Sequence, residues 1–195
     1  MPLIKKIANG IDELDIETTK KAILLSFMDV FMFYKGSELV DNQYLVLSEF
    51  TSAQRKNSNF LFLGKEGTEN LRIFMAEMKQ QYFEFMNDDK LMAEIDVPPE
   101  ISYVISYIDL ISCSGIGKNS STETRAQALF PVKDVIMNLK LADFCYPFKS
   151  ALMFFLKNIY FEIEKEISED FSMNVWQVIQ IIIDDLQKFV EVMQR

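Results

Sequence analysis

A chain of 195 residues with 49% hydrophobic and 25% charged residues has the composition of a folded domain, not of a disordered segment. Its 29 acidic residues outnumber its 20 basic ones, and the resulting net charge of −9 opposes binding to nucleic acid or to an anionic membrane. The absence of histidine excludes Ser-His and Cys-His nucleophile pairs and imidazole metal ligands.

We expect neither a secretory signal nor a membrane span. The longest apolar stretches cover residues 22–34 and 151–163, and each of them is interrupted by a charged residue. Both are shorter than the roughly 20 apolar residues that span a bilayer. The two cysteines, Cys113 and Cys145, lie within predicted apolar helices. They are expected to be reduced, buried and unreactive, as in a cytosolic protein.

The first apolar stripe predicts a long helix in the N-terminal part of the chain. Its members recur mainly at steps of three and four residues: Ile23, Phe27, Val30, Phe31 and Tyr34. Gly36-Ser37 is predicted to end this helix, with Ser37 capping a second helix that extends to about Arg55. A polar loop is expected over residues 57–67, with its apolar centre Phe60–Leu63 packed onto the helices.

Two further helices are predicted in the middle of the chain. The first is capped by Thr68 and carries a one-sided stripe formed by Leu71, Phe74, Met75, Met78, Tyr82, Phe85 and Met86. The second begins at Pro98-Pro99, because a proline in the first helical turn loses no hydrogen bond. Gly115 and Gly117 are predicted to end it.

Shorter helices and one long final helix are predicted in the C-terminal part. A polar loop over residues 118–124 precedes a short helix, and Pro131 and Pro147 start the next two. The final helix is predicted to begin at Ser172 or Asn174. Its apolar stripe consists of Val175, Val178, Ile179, Ile182, Leu186, Phe189, Val190 and Met193, widened by Trp176, Ile181 and Ile183. A stripe of this width indicates a helix that packs on two sides.

These elements predict an all-α fold of about seven or eight helices without a strand. Short loops, and helices that are apolar on more than one side, favour antiparallel helices stacked as an irregular α-solenoid over a compact four-helix bundle. Regular armadillo and tetratricopeptide signatures are absent. The whole chain, residues 1–195, is expected to form a single helical domain.

The segment Gly115-Ile116-Gly117-Lys118 invites comparison with a phosphate-binding loop. Such a loop follows a strand and needs a glycine where this chain has Ser112. It also needs a serine or threonine where this chain has Asn119. We therefore interpret the segment as a helix terminator. Asn119-Ser120-Ser121 is a glycosylation sequon, which matters only in a secreted chain.

Acidic residues are the remaining candidates for calcium binding or acid–base chemistry. Asn87-Asp88-Asp89 and Asp184-Asp185 lack the ligand spacing of an EF-hand loop, so we interpret them as solvated helix ends. Asp29 lies within an apolar stretch and is expected to face solvent or to bond a neighbouring helix. The sequence assigns no catalytic, cofactor-binding or metal-binding residue, leaves any ligand-binding residue unknown, and predicts no enzyme.

Two segments carry a resemblance to a known family. The first, Tyr107–Gly117, is an apolar helix that stops at a glycine pair with a Cys-x-x-Gly-like turn. The second, Tyr146–Glu162, is an apolar helix that begins with Pro147-Phe148 and ends in the run Ile159–Glu162, which is apolar, aromatic and finally acidic. With the later amphipathic helix, the order and spacing over residues 101–192 resemble the homology domain of ryanodine receptors and inositol trisphosphate receptors, the intracellular calcium-release channels.

The resemblance implies an armadillo-like α-solenoid, with residues 1–100 as the preceding helices of the same stack. It implies a non-catalytic segment that transmits ligand-driven shifts towards the pore, with other domains or subunits of the channel as its partners. The implied location is cytoplasmic, at the cytosolic face of an internal calcium-store membrane. Neither nucleic-acid binding nor direct insertion of the segment into the membrane is expected, and no cofactor is implied.

The chain also departs from the family. The family often has Asn-Gln shortly after the glycine turn, where this chain has Ser121-Thr122, and a proline commonly closes the second helix, where Glu164–Glu166 continues. The inositol trisphosphate pocket needs several convergent arginines and lysines that are not visible here, so its ligand residues do not transfer. The alternative hypothesis is a free-standing helical scaffold or adaptor, with Phe60, Phe62 and Trp176 as candidate contacts to partners.

Overall fold

The computed structural model describes residues 2–13, 18–51, 73, 76, 99–141, 145–162 and 169–193. These residues are mostly helical, which confirms the all-α character predicted from the sequence. Within this part of the chain, no helix combines the length and the apolarity needed to cross a membrane.

The elements follow one another as helices joined by short turns. The N-terminal elements are α1 (Pro2–Glu13), α2 (Thr18–Phe27), a 3₁₀ turn (Met28–Phe31), strands β1 (Phe33–Tyr34) and β2 (Ser37–Glu38), and α3 (Val40–Phe50). The later elements are α4 (Pro99–Cys113), α5 (Ser120–Leu129), α6 (Val132–Leu141), α7 (Tyr146–Leu156), a π-helical turn (Lys157–Phe161) and α8 (Glu169–Met193).

A short β-hairpin follows α2, and it shows that the prediction of no strand is wrong. The two strands are antiparallel, with Tyr34 paired to Ser37. Lys35 at φ 51° and Gly36 at φ 81° supply the two positive φ values that a tight hairpin turn requires. Gly36 therefore reverses the chain instead of ending a helix, and Ser37 lies in a strand instead of capping one. The next helix, α3, ends at Phe50, before the predicted Arg55.

The buried face of α2 is not the face that the apolar stripe predicts. Ala22 and Leu25 of α2 and Met28 of the 3₁₀ turn are buried. The predicted stripe lies largely outside the core, because Ile23, Phe27, Val30 and Tyr34 are more than half exposed. Helix α2 is apolar on both sides. The small Ala22 lies on the buried side and allows α2 to pack closely against α4. The change to a 3₁₀ turn at Met28 also ends the long helix that the stripe predicts.

The core is built around α4, which packs against α2 on one side and α7 on another. Most of its residues from position 101 onward are buried: Ile101, Tyr103, Val104, Tyr107, Ile108, Leu110, Ile111, Ser112 and Cys113. The Tyr107 hydroxyl donates a hydrogen bond to the Phe50 carbonyl, 2.9 Å away, so the polar end of this buried ring is satisfied. The predicted start at Pro99 and the predicted end before Gly115 are both confirmed.

The helix starts predicted from prolines in the C-terminal part are confirmed, but the predicted starts of two other helices are wrong. Pro131 directly precedes α6, and Pro147 lies in the first turn of α7. The predicted loop over residues 118–124 is wrong, because α5 already begins at Ser120. The final helix, α8, begins at Glu169 and not at Ser172 or Asn174. Asn174 is buried and lies within the helix instead of at its start.

Several predicted features lie outside the described residues. They are the loop over residues 57–67 with Phe60 and Phe62, Asn87-Asp88-Asp89, and most of the helix predicted from Leu71. In that helix, Ile73 and Ala76 are described, and both are helical and exposed. Neither belongs to the predicted apolar stripe.

Candidate coupling site at the glycine turn

The turn between α4 and α5 is held by backbone conformations that few residues adopt. Gly117 has φ +85° and Lys118 has φ +63°, both in the left-handed region. A glycine adopts that region without steric cost, whereas an L-residue with a side chain is strained there. The sequence therefore ends α4 at this point and reorients the chain into α5, as the interpretation of a helix terminator predicts.

Gly115 lies directly against the π-helical turn that follows α7. A Cβ atom at this position would collide with Cδ1 of Ile159 and would lie 3.1 Å from the carbonyl oxygen of Asn158. The absence of a side chain thus allows the two backbones to approach closely. The glycine turn and the end of the second resembling segment are therefore in direct contact, although Gly115 and Ile159 are 159 − 115 = 44 positions apart in the chain.

Two buried amides connect the glycine turn to α3. The Gln43 amide donates hydrogen bonds to the carbonyl oxygens of Ile116 at 2.8 Å and Cys113 at 3.4 Å. The Asn119 amide donates to the carbonyl of Val40 at 3.1 Å and to the Gln43 side-chain oxygen at 3.2 Å. Both side chains are buried, so their bonds are made in a low-dielectric interior where an unmet partner is costly.

The α5 helix is connected both to the turn and to the π-helical segment. The Thr122 hydroxyl, fully buried, donates to the Ser114 carbonyl at 2.7 Å. The Gln127 amide donates to the Ile159 carbonyl at 2.8 Å, which satisfies an oxygen within the π-helical turn. We call the set formed by Gln43, residues 114–119, Thr122, Gln127 and residues 158–159 the glycine-turn junction.

One donor in the junction has no partner. The Nδ2 atom of Asn158 is buried and finds no hydrogen-bond acceptor in the described part of the chain. Its own carbonyl faces Gly115. An unpaired buried amide costs free energy, and such groups mark places where the arrangement is not fully optimised for stability.

A cluster of two carboxyls and a thiol lies beside the junction, at the end of α4. Desolvation raises the pKa of Asp29 to about 6, and the nearby charge of Asp109 raises it further. The interaction with the Cys113 thiol acts in the opposite direction and lowers this pKa. Desolvation also raises the pKa of Asp109 to about 6. Asp29 is half-buried beside Cys113 and Asp109 of α4, so it faces a neighbouring helix and not open solvent. Its Oδ1 atom is buried and has no hydrogen-bond partner among the described residues.

Neither cysteine has the environment of a reactive thiol. Both are buried and free, as predicted. Desolvation, with the nearby charges of Asp29 and Asp109, raises the pKa of Cys113 to about 12. Desolvation also raises the pKa of Cys145, although the Phe148 backbone N–H opposes it. A thiol with a raised pKa is a poor nucleophile and a poor metal ligand, and no metal-binding group of acidic or cysteine side chains occurs among the described residues.

The acidic pair on α8 has two different surroundings. The buried Lys149 ammonium contacts both oxygens of Asp185 at 2.7 Å and so connects α7 to α8. The neighbouring Asp184 is exposed and accepts a hydrogen bond from Gln180 at 2.8 Å. The interpretation of both aspartates as a solvated helix end is therefore wrong: both lie within α8, and of the two only Asp184 is solvated, while Asp185 lies in an ion pair.

Sequence reasoning did not identify Gln43, Thr122, Gln127 or Asn158 as parts of a site. One signal was present for Gln43, because it is a polar residue at a helix position whose neighbours one turn away, Val46 and Leu47, are apolar and buried. The partners of all four residues are backbone carbonyls that come close only in the folded chain. Chemically, the junction can hold these backbone segments in fixed positions relative to one another.

No protein-family model matches the chain, and no solved structure matches it. The functional interpretation therefore depends on the geometry of the junction, the exposed surface of α8, and the sequence segments that carry the resemblance.

Proposed function

We propose that the chain is a non-catalytic coupling segment of an intracellular ligand-gated calcium-release channel, built as an irregular armadillo-like α-solenoid. It transmits displacements between its N-terminal and C-terminal helices through the glycine-turn junction. Its partners are other domains or subunits of the channel, and it works at the cytosolic face of an internal calcium-store membrane.

One observation carries this proposal. The two segments that resemble the channel family pack directly against each other, since Gly115 of the first lies against Asn158 and Ile159 of the second. The helices that contain them, α4 and α7, also form one of the closest helix pairs in the core. Two segments that share the pattern of one family support the resemblance more strongly when they also pack together in the fold.

The helix contacts support a stacked arrangement. In the order α2, α4, α7, α6 and α8, each helix packs against the next, so contacts pass from one end of the described part to the other. The units of a regular solenoid contact mainly the units next to them in the chain. The order here departs from the chain order, so the proposed stack is irregular, and a displacement of α2 can reach α8 through these packed pairs.

The junction supports a coupling role because it connects three separate elements to the turn between α4 and α5. Gln43 belongs to α3, Thr122 and Gln127 belong to α5, and Asn158 belongs to the π-helical turn. Gln43 and Thr122 donate hydrogen bonds to the glycine turn with its positive φ values, Gln127 donates to the π-helical turn, and the Asn158 carbonyl lies against Gly115. A movement of α3 therefore displaces backbone groups that contact α5 and the π-helical turn, through a physically contiguous network.

Reading the gene that encodes this chain is the first test. We expect the reading frame to continue into pore-forming transmembrane helices downstream of these residues. A parent gene without such helices would overturn the channel proposal.

The second test changes the junction in that full-length protein. Gly115→Ala should shift the ligand concentration for half-maximal calcium release from loaded vesicles by about threefold or more, because the added methyl group displaces the π-helical turn. The matched control is Gly36→Asn in the hairpin turn, where nothing lies within 4 Å and asparagine tolerates a positive φ. An unchanged ligand response, with Gly115→Ala protein folded and assembled as wild type, would contradict the coupling role.

The alternative, a helical scaffold that binds protein partners, is favoured by the exposed apolar surface of α8. That helix presents Trp176, Leu186 and Val190 at least half exposed to solvent. A surface of this kind marks an interaction site more often than an inert one. A parent gene that encodes no pore, together with saturable binding of a protein partner by the 195-residue chain, would establish this alternative.

A further inference from the structure

The outward surface of α8 has the residue spacing of a helix-pairing seam. Its members follow one another at alternating steps of three and four residues: Trp176, Ile179, Ile183, Leu186 and Val190. Their exposed fractions are 70%, 37%, 41%, 59% and 50%. This alternation is the 3.5-residue repeat by which one α-helix packs its side chains between those of another. We call these five residues the outer seam of α8.

The outer seam is separate from the face by which α8 joins the fold. Val178 and Ile181 are buried and point to the opposite side, where α8 packs against α6. Asp185 lies on that same inner side and holds the Lys149 ion pair. The inner face therefore anchors the helix, and the outer seam is left for a second helix to cover.

The exposed area of the seam reaches the low end of the range of protein interfaces. Side chains of this type have surfaces of about 200 Å² each, so the exposed fractions amount to several hundred Å². A standard stable interface buries about 800 Å² on each partner, and adjoining side chains such as the 38% exposed Ile182 contribute further area. The seam is thus large enough for a reversible dimer, at the low end of the range.

Charge does not oppose pairing of the seam with itself. The positions beside it are uncharged: Gln180 and Gln187 on one side, Val175 and Ile182 on the other. The acidic Asp184 and Glu191 lie one position further out, beyond the glutamines. Two copies can therefore meet along the seam without placing carboxylates directly opposite each other, although each chain carries a net charge of −9.

We infer that the outer seam binds a second copy of this chain, with the two α8 helices antiparallel about a two-fold axis at Ile183. The seam is nearly symmetric around Ile183. Ile179 and Trp176 lie four and seven positions before it, and Leu186 and Val190 lie three and seven positions after it. This arrangement places Trp176 on the partner's Val190, a large side chain opposite a small one, and Ile183 on its own copy. A self-complementary patch of this kind is what a two-fold interface requires. The inference does not depend on the channel proposal.

The test uses the 195-residue chain and its single tryptophan. Sedimentation velocity from about 1 to 200 μM should show the mass rising from 22.7 kDa towards twice that value. Tryptophan emission should shift to shorter wavelength over the same range, because dimerisation buries Trp176. Added NaCl should tighten the dimer, since salt screens the repulsion between two acidic chains.

Substitutions then locate the interface and its direction. Ile183→Lys should weaken the dimer at least tenfold without changing the thermal unfolding of the monomer. The matched control is Ile23→Lys on α2, an equally large change at a residue that is 65% exposed, and it should leave the dimer intact. Under oxidation, Ile183→Cys should form a disulfide between copies. Trp176→Cys should not, because antiparallel pairing separates the two copies of that residue by about 21 Å.

Three results would overturn the inference. They are a chain that stays monomeric up to 200 μM, a dimer that tolerates Ile183→Lys, and a dimer in which Trp176→Cys cross-links to itself, which would indicate parallel helices. None of these results bears on the channel proposal, whose tests are the downstream reading frame and the ligand response.

Discussion

The helices α4 and α8 look alike in sequence and differ completely in their surroundings. Both are rich in isoleucine, leucine and valine, and both carry apolar residues on more than one side. Ile101, Ile108 and Ile111 of α4 are at most 1% exposed, whereas Ile179, Ile182 and Ile183 of α8 are each 37% exposed or more. Apolar content therefore does not determine burial here. The position of a helix in the packing order does, because α4 has helices on two sides, whereas among the described elements α8 packs on its inner face.

The largest expected effect tests this contrast with the same substitution in both helices. Ile108→Ala in α4 should lower the free energy of unfolding by about 4 kcal/mol, because it removes buried methylenes and leaves a cavity in a closely packed core. Ile183→Ala in α8 should lower it by less than about 1 kcal/mol, since that side chain is 41% exposed. Urea unfolding of both variants, below the concentration at which dimers form, measures the difference. Equal losses would mean that α8 is covered on its outer side in the monomer.

A second prediction sharpens the contrast within α8 itself. Asp185→Ala should destabilise the chain by about 3 kcal/mol, because it leaves the buried Lys149 ammonium without its carboxylate. The adjacent Asp184→Ala should change stability by no more than about 0.5 kcal/mol, since Asp184 is exposed. Thermal and urea unfolding of the pair measure both values. Replacing both partners of the ion pair, as Lys149→Met with Asp185→Leu, should recover most of the loss. Failure of that recovery would mean that Asp185 acts through something other than Lys149.

The smallest effect concerns the carboxyls at the end of α4. The pKa values of Asp29 and Asp109 are raised to about 6 in the folded chain, from about 4 when unfolded. A raised pKa means that the stability linked to the protonated form is present in full below about pH 4 and is lost as the pH rises through about 6. Above that pH the buried charges destabilise the fold.

Asp109→Asn should therefore stabilise the chain by about 1 kcal/mol at pH 8, after allowance for its partial exposure. The gain over wild type should shrink as the pH is lowered from 8 to 5, because the aspartate then becomes protonated. Urea unfolding at several pH values measures this, with the exposed Asp184→Asn as a control for the loss of one negative charge. A gain that does not change with pH would show that burial of the carboxyl is not its cause.

Much of the helical pattern could be predicted from local sequence, because local rules govern it. Pro99 and Pro147 start helices, and the Gly115-Gly117 pair ends one, since these residues restrict or release the backbone wherever they occur. The hairpin at Lys35-Gly36 was missed because the same glycine can end a helix or turn a strand. The hairpin turn also needs a positive φ at Lys35, and lysine is not a residue from which a positive φ would be predicted.

The candidate site was predictable only in part. Gly115 and Gly117 were identified as a terminator, but the contacts of this turn join distant residues: Gly115 and Asn158 are 158 − 115 = 43 positions apart, and Ile116 and Gln43 are 73 positions apart. Asp29 was identified as an exception within an apolar stretch, yet its neighbours Asp109 and Cys113 come from a distant helix. No periodicity carries information about such pairs, because each depends on how two helices cross.

The sequence by itself determined that the chain is helical, that it lacks the histidine used in many active sites, and where prolines and glycines divide it. Only the tertiary structure decided which side of each apolar helix is buried. In α2 the buried side is the one with Ala22 and Leu25, and in α8 it is the one with Val178 and Ile181. The physical reason is that a helix with two apolar faces has no local preference between them, so the choice is made by the neighbour against which it packs best.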